Sequence, residues 1–309
     1  MPCPICNKSD LIKKYNYDKR NEEFEDNNEY INYTNKILTC VDCDLSFNST
    51  ASIENLAKFY SKMNIIDEKK KFTRHRFSEF NSRFFSQVLY YMQFFKINKN
   101  SAVLEIGPNR YGISKTIKIF QKDVNYYYFD LATIESEKNV VKLGDYYYPS
   151  RSKLPKLDLI WMSHSLEHLH PMLLEPTFKH LHESLNSGGK IFIEIPDELN
   201  PLLKLIIPHT LFFTQKSLYN IFDKLGFSIC AYNEISNTAE AKNSIEKFPV
   251  DSLLINKFNL KTKNFLMGIY LFVQKFLPDR IIKKYVFKNF VKNGPYTNEK
   301  LIRVILQKV

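Results

Sequence analysis

An α/β fold built on a parallel sheet is the prediction for most of this chain, and three observations make it. From residue 102 onward, short apolar strand signals alternate with helix signals, as they do where crossover helices join parallel strands. Residues 102–107, Ala-Val-Leu-Glu-Ile-Gly, run through Pro108, Asn109, Arg110, Tyr111 and Gly112 into a helix near Ile113. A turn of this kind, at the C-terminal edge of a first strand, is where doubly wound sheets hold nucleotide-like ligands. Third, 309 residues at 44% hydrophobic and 25% charged provide one large domain with attachments, or two domains.

The first element lies ahead of that sheet. Four of the five cysteines form two Cys-x-x-C knuckles, Cys3 with Cys6 and Cys40 with Cys43. Each knuckle turns two sulfurs toward one point, and two knuckles complete a tetrahedral zinc site. With all four ligands supplied by protein, such a zinc is structural. The polar stretch between the knuckles, acidic at Glu22, Glu23, Glu25 and Asp26, loops out or forms a ribbon hairpin, and residues 36–39 read as a strand. Residues 1–50 are therefore expected to be a zinc-binding ribbon, and residues 51–98 linker helices that pack on the core. The aromatics of residues 78–95 sit at helical spacing, and Tyr60 and His75 lie where a segment could cover a site. Cys230, in an apolar run, reads as a buried core residue.

Residues 99–309 form the main domain. Its first strand is 102–106, followed by a helix around 113–120. Gly107 allows the chain to turn and approach a ligand closely. The second strand, 126–129, closes on Asp130, about twenty residues past the glycine turn, where an acid suits the two hydroxyls of a ribose. A third segment, 140–143, ends at Gly144 and Asp145. The fourth strand, 157–162, ends at Ser163, His164, Ser165, Leu166, Glu167 and His168. A helix over 173–185 is expected to stop at Gly188 and Gly189. Strand five is 190–195, ending at Pro196 and Asp197. His209 follows it, then a helix through Leu225, a turn at Gly226 and strand six, 228–232. Residues 301–307 read as the last strand.

The Glu105-Ile106-Gly107 turn, Asp130, the Ser163-x-x-x-Glu167-His168 segment and Gly188-Gly189 occur in the order and at the distances of a class I S-adenosylmethionine-dependent methyltransferase, which the chain resembles over about residues 100–232. Joined to the double Cys-x-x-C front, the core is similar to sugar and surface-polysaccharide methyltransferases with a zinc-binding domain. The resemblance implies a Rossmann-like seven-stranded sheet, a small N-terminal zinc ribbon and a helical C-terminal insertion, about residues 236–298, before a last strand that pairs antiparallel with the sixth. It implies S-adenosylmethionine as cofactor. Glu105, Gly107, Asn109 and Gly112 would form the loop at the methionine part, Asp130 would bind the ribose hydroxyls and Asp145 the adenine amino group. Ser163 and His164 would stand beside the cofactor, with Glu167 and His168 shaping the pocket. Two positions depart from the pattern: Asn109 stands where a second glycine is usual, and Pro208 replaces the glutamate of a Tyr-His-Glu-His run matched only at His209. The second departure favours O-methylation of a sugar over C-methylation.

Methyl transfer requires in-line alignment and removal of a proton, and histidine is the side chain suited to that near neutral pH. His209 is the first candidate base and His164 the second. The expected acceptor is a small-molecule, nucleotide-linked or lipid-linked sugar. In the insertion, the apolar stretch 264–277 precedes a basic one, with Arg280, Lys283, Lys284, Lys288 and Lys292. A pocket cap, a homodimer interface and peripheral contact with an anionic membrane all suit that composition. Net charge is +11, but no compact Arg-rich patch points to nucleic acid. A cofactor-binding partner subunit without activity and an RNA methyltransferase stay open as alternatives. Neither a secretory signal nor an apolar run of about 18 residues is seen, so a cytoplasmic location is expected, at most peripheral to the inner membrane face.

Overall fold

Seven strands form the central sheet in the order β10-β11-β8-β7-β4-β5-β6. They are β4 (Ala102–Ile106), β5 (Asn125–Phe129), β6 (Val140–Gly144), β7 (Leu157–Ser163), β8 (Leu185–Pro196), β10 (Phe227–Ile235) and β11 (Leu301–Lys308). A computed structural model describes residues 2–17, 35–54, 56, 84, 87–108, 113–130, 139–145, 153–198, 209–235 and 301–309. The insertion expected at 236–298 lies outside the described residues, as do Tyr60 and His75.

β4 pairs in parallel with β5 on one side and with β7 on the other. The strand order therefore reverses beside β4, and a crevice opens beyond the C-terminal ends of β4 and β7. The middle strands are buried on both faces, which explains their unbroken apolar runs. Val103, Leu104, Ile160, Trp161, Phe192 and Ile193 are all shut off from solvent. Trp161 stacks on Phe192 across the β7–β8 pair, with ring centroids 3.9 Å apart.

β11 lies between β10 and β8 and runs antiparallel to β8. That register sets Arg303 opposite Glu194, and the two form a fully buried ion pair at 2.5 Å. Helices of the described core include α1 (Ser114–Phe120), α2 (Leu174–Ser184) and α3 (Gln215–Lys224). Thr214 caps α3 by a capping box with Ser217.

Two sequence expectations need correcting. Gly188 and Gly189 do not stop a helix. α2 has already ended at Ser184, and β8 begins at Leu185. The glycines belong to an irregularity in β8, where the pairing with β7 jumps from Leu185 to Lys190. A Cβ at position 189 would meet the Asn186 carbonyl oxygen at 2.9 Å, so the bulge admits only glycine there. Cys230 is exposed rather than buried, because alternation along β10 turns it outward. Its thiol donates to Gln307 Oε1 at 3.5 Å.

A smaller sheet, β1-β2-β3-β9, carries the cysteines. β1 (Leu11–Tyr17) and β2 (Asn35–Cys40) form an antiparallel ribbon, and β3 (Ser46–Asn48) pairs with β2. The fourth strand, β9 (Leu211–Phe212), comes from the segment after β8, pairing Phe47 with Leu211 and Ser46 with Phe212. Thr214 donates to Asp44 at 2.7 Å and Asn48 N–H to the Thr210 carbonyl at 2.8 Å. The chain divides into two compact units, residues 1–72 with 98–233 and 301–309, and residues 73–97 with 234–300. In the second, residues 87–94 are helical, with Val88, Leu89, Tyr90 and Tyr91 buried. Among the described residues, no helix is long and apolar enough to cross a membrane.

Candidate active site

Strand register brings four of the sequence-predicted residues to one edge. Ile106 is opposite both Phe129 and Met162, and Phe129 is opposite Gly144. One residue further on are Gly107, Asp130, Ser163 and Asp145, all at the C-terminal lip of the sheet. Asn109 and Gly112 lie outside the described residues.

The first turn is held from below. Glu105 is buried on β4, and its carboxylate accepts the Ile113 N–H at 2.7 Å and the Tyr126 hydroxyl. It thus ties the start of α1 back to the strand. Burial raises its pKa to about 7, against the pull of those two hydrogen bonds. Gly107 has φ +71, and a Cβ there would meet Ser165 Cβ at 3.1 Å. Only backbone fits between the turn and Ser165, so a ligand could approach the main chain closely. Asp130 is half-buried, with its N–H bonded to the Gly144 carbonyl, and could accept a pair of hydroxyls. Asp145 is exposed and paired with Lys142 at 2.6 Å. This donor set, a bare backbone turn and two spaced carboxylates, suits a nucleoside with a charged tail.

On the other side of the crevice, His164 follows β7 with φ +52, a conformation uncommon for residues other than glycine and concentrated at functional sites. Its Nδ1 lies 3.4 Å from Glu167 Oε1 and its Nε2 3.7 Å from Glu194 Oε1. Glu167 and His168 lie on a 3-10 turn, residues 166–168. Across from them is His209, buried, with Nδ1 2.7 Å from Glu198 Oε2. The His168 and His209 rings meet edge to face at 4.5 Å. Burial, and secondarily the neighbouring His209, hold His168 well below the usual imidazole range.

Thr210 joins the two segments. Its N–H donates to the Glu167 carbonyl at 2.7 Å and its hydroxyl to the Leu169 carbonyl at 2.6 Å. The structure thus brings both predicted histidines to the β7–β8 end of the lip. The residue missed from sequence is Glu198. An acid just after strand five was the available signal, since Asp197 and Glu198 follow Pro196 directly.

The four cysteine sulfurs also converge. Cys3 and Cys43 Sγ are 3.5 Å apart, Cys6 and Cys40 Sγ 3.3 Å, and all four lie within 4.8 Å of one another. Sulfurs around a tetrahedral zinc, at bonds of about 2.3 Å, would stand about 3.8 Å apart, so the cluster could hold such an ion. Burial raises Cys6 to about 11, while a hydrogen bond from Cys43 lowers Cys3 to about 5.

A family model described as a methyltransferase domain matches residues 72–232, just over half of the chain. The chain belongs to this methyltransferase family. It is a class I S-adenosylmethionine-dependent enzyme, and its seven-stranded sheet is the fold expected of that class. Among solved structures, the methyltransferase is similar to the 1,6-didemethyltoxoflavin-N1-methyltransferase of Burkholderia thailandensis, crystallised with 1,6-didemethyltoxoflavin and S-adenosylhomocysteine. Identity is 13%, over 87% of this chain and 97% of that one, at TM-score 0.49. It is also similar to coclaurine N-methyltransferase bound to N-methylheliamine and S-adenosylhomocysteine, at 15% identity, 72% and 71% coverage and TM-score 0.42. No curated protein matches the chain in sequence.

Proposed function

We propose that the methyltransferase methylates a hydroxyl of a sugar or polysaccharide precursor, presented on a nucleotide or lipid carrier. The observation that carries this reading is the buried His209–Glu198 pair at the acceptor side of the lip. S-adenosylmethionine supplies, when bound, a methyl group on a positively charged sulfur that departs as a neutral thioether. In this reading the turn at Gly107 meets the methionine end, Asp130 accepts the ribose hydroxyls and Asp145 lies at the adenine. Glu198 engages His209 Nδ1, which leaves Nε2 as the nitrogen turned to the acceptor. His209 is then the residue that handles the hydroxyl proton, as expected of a catalytic histidine oriented by a carboxylate. His164, on the lip beside Ser163, borders the same space. The sugar class is supported by the double Cys-x-x-C ribbon joined to this core, and its sulfurs we assign to a structural zinc.

The test is methyl-group transfer from radiolabelled S-adenosylmethionine to a panel of nucleotide sugars, followed by product analysis. An O-methyl product is expected with at least one acceptor, and His209→Asn should lower kcat about 10²- to 10⁴-fold. Transfer to no sugar, or an undiminished kcat in His209→Asn, would sink the reading.

A further inference from the structure

We propose that Glu167, His168 and His209 bind a divalent first-row transition cation at the acceptor side of the lip, in a site separate from the cysteine cluster. The inference rests on the reading that His209 stands at the acceptor, and it replaces the role of proton-accepting base given to His209 above with that of a metal ligand. The ligand atoms of the three side chains lie within 4.8 Å of one another, with Glu167 Oε1 3.9 Å from His168 Nε2. Metal bonds of about 2.0–2.2 Å require only small side-chain adjustments from there.

Three further features point to a built site. The two segments that carry the ligands are far apart in sequence, and Thr210 fastens them through backbone and hydroxyl hydrogen bonds. The relative placement of His168 and His209 therefore does not depend on surface rotamers. Glu198, 2.7 Å from His209 Nδ1, takes the position of the outer carboxylate in a carboxylate–histidine–metal arrangement. By accepting the Nδ1 proton, it fixes the tautomer that leaves a lone pair on Nε2. Finally, Glu167 is almost wholly buried and His168 about one-fifth exposed, so the cluster is dry on one side and open on the other.

The donor set selects the ion. Two imidazoles and one carboxylate suit manganese, iron, cobalt or zinc, whereas magnesium and calcium favour all-oxygen sites. Three protein ligands leave coordination positions open, and oxygens of a vicinal diol are the natural occupants. A cation there lowers the pKa of a bound hydroxyl. On transfer, the acceptor O–H bond breaks and its proton goes to solvent. The oxygen–methyl bond forms, and the carbon–sulfur bond of the donor breaks with its electron pair moving to sulfur. His209 then contributes as a ligand instead of taking the proton itself.

The test uses the 309-residue chain, expressed with zinc and dialysed against a mild chelator to empty the open site while the cysteine cluster stays loaded, then titrated with manganese chloride and followed by Mn(II) electron paramagnetic resonance. One Mn(II) per chain is expected, with spin-echo modulation from imidazole nitrogen. Glu167→Gln and His168→Asn should weaken binding at least about tenfold, and Glu198→Gln about 10- to 100-fold. No bound Mn(II), or bound Mn(II) without imidazole coupling, would overturn the proposal even if every variant failed to fold. Sugar methylation unchanged after chelation of the open site would equally overturn it, leaving His209 as a simple base. Mn(II) binding with imidazole coupling, but without transfer to any sugar, would support the site while refuting the sugar reading.

Discussion

Glu105 should make the stability of this enzyme fall as pH rises. An exposed glutamate, and the same residue in the unfolded chain, titrates near 4.5, while burial under the turn moves it to about 7 in the fold. Between those values the folded state holds a proton that the unfolded state has lost. The stabilisation is therefore fully present below about 4.5 and is lost as pH rises through about 7. A shift of that size corresponds to about 3 kcal/mol in all, most of which is lost between pH 5 and 8. Glu105→Gln removes the titration while keeping an oxygen for the Ile113 N–H. The assay is urea unfolding of both proteins at pH 5, 6, 7 and 8. The native chain should lose about 2–3 kcal/mol relative to the variant over that range. Parallel pH profiles would mean that Glu105 is ionised in the fold or hydrated beneath the turn, and the account of the latch would be wrong.

The Arg303–Glu194 pair, both groups fully buried, gives a second expectation. Arg303→Met should cost about 3–5 kcal/mol by leaving a buried carboxylate without its counter-charge, and adding Glu194→Gln should recover much of it. A single variant as stable as the native chain in urea would refute this. Removal of the zinc proposed for the cysteine cluster gives another. Because β3 pairs with β9, stripping the ion should raise amide exchange at Leu211 and Phe212 as well as in the ribbon. Exchange confined to residues 2–48 would show that the two segments are mechanically independent.

Much of the sheet was legible because its strands are buried on both faces and so read as unbroken apolar runs. Parallel pairing then sends each strand's following residue to the same edge, which is why Gly107, Asp130, Asp145 and Ser163 could be chosen one at a time. The pairing of His209 with Glu198 could not be seen that way. The two residues are eleven apart in sequence and share neither a strand nor a helix, so no periodicity places them together. Gly188-Gly189 misled because a glycine pair after a helix is the same signal whether it ends the helix or bulges the next strand. Cys230 misled because an apolar run with period two has one outward face.

One flank of the sheet is completed late. Residues 301–309 fill the place between β8 and β10, and Glu194 meets Arg303 from a strand 109 residues further along the chain. As the chain grows from its N-terminus, β4 to β8 can assemble around the cofactor crevice while one flank of β8 is still bare. A partly made chain therefore exposes an unpaired strand edge and an acidic side chain, both hazards for aggregation. Assembly of the β8 end of the crevice is thus tied to synthesis of the segment that closes it.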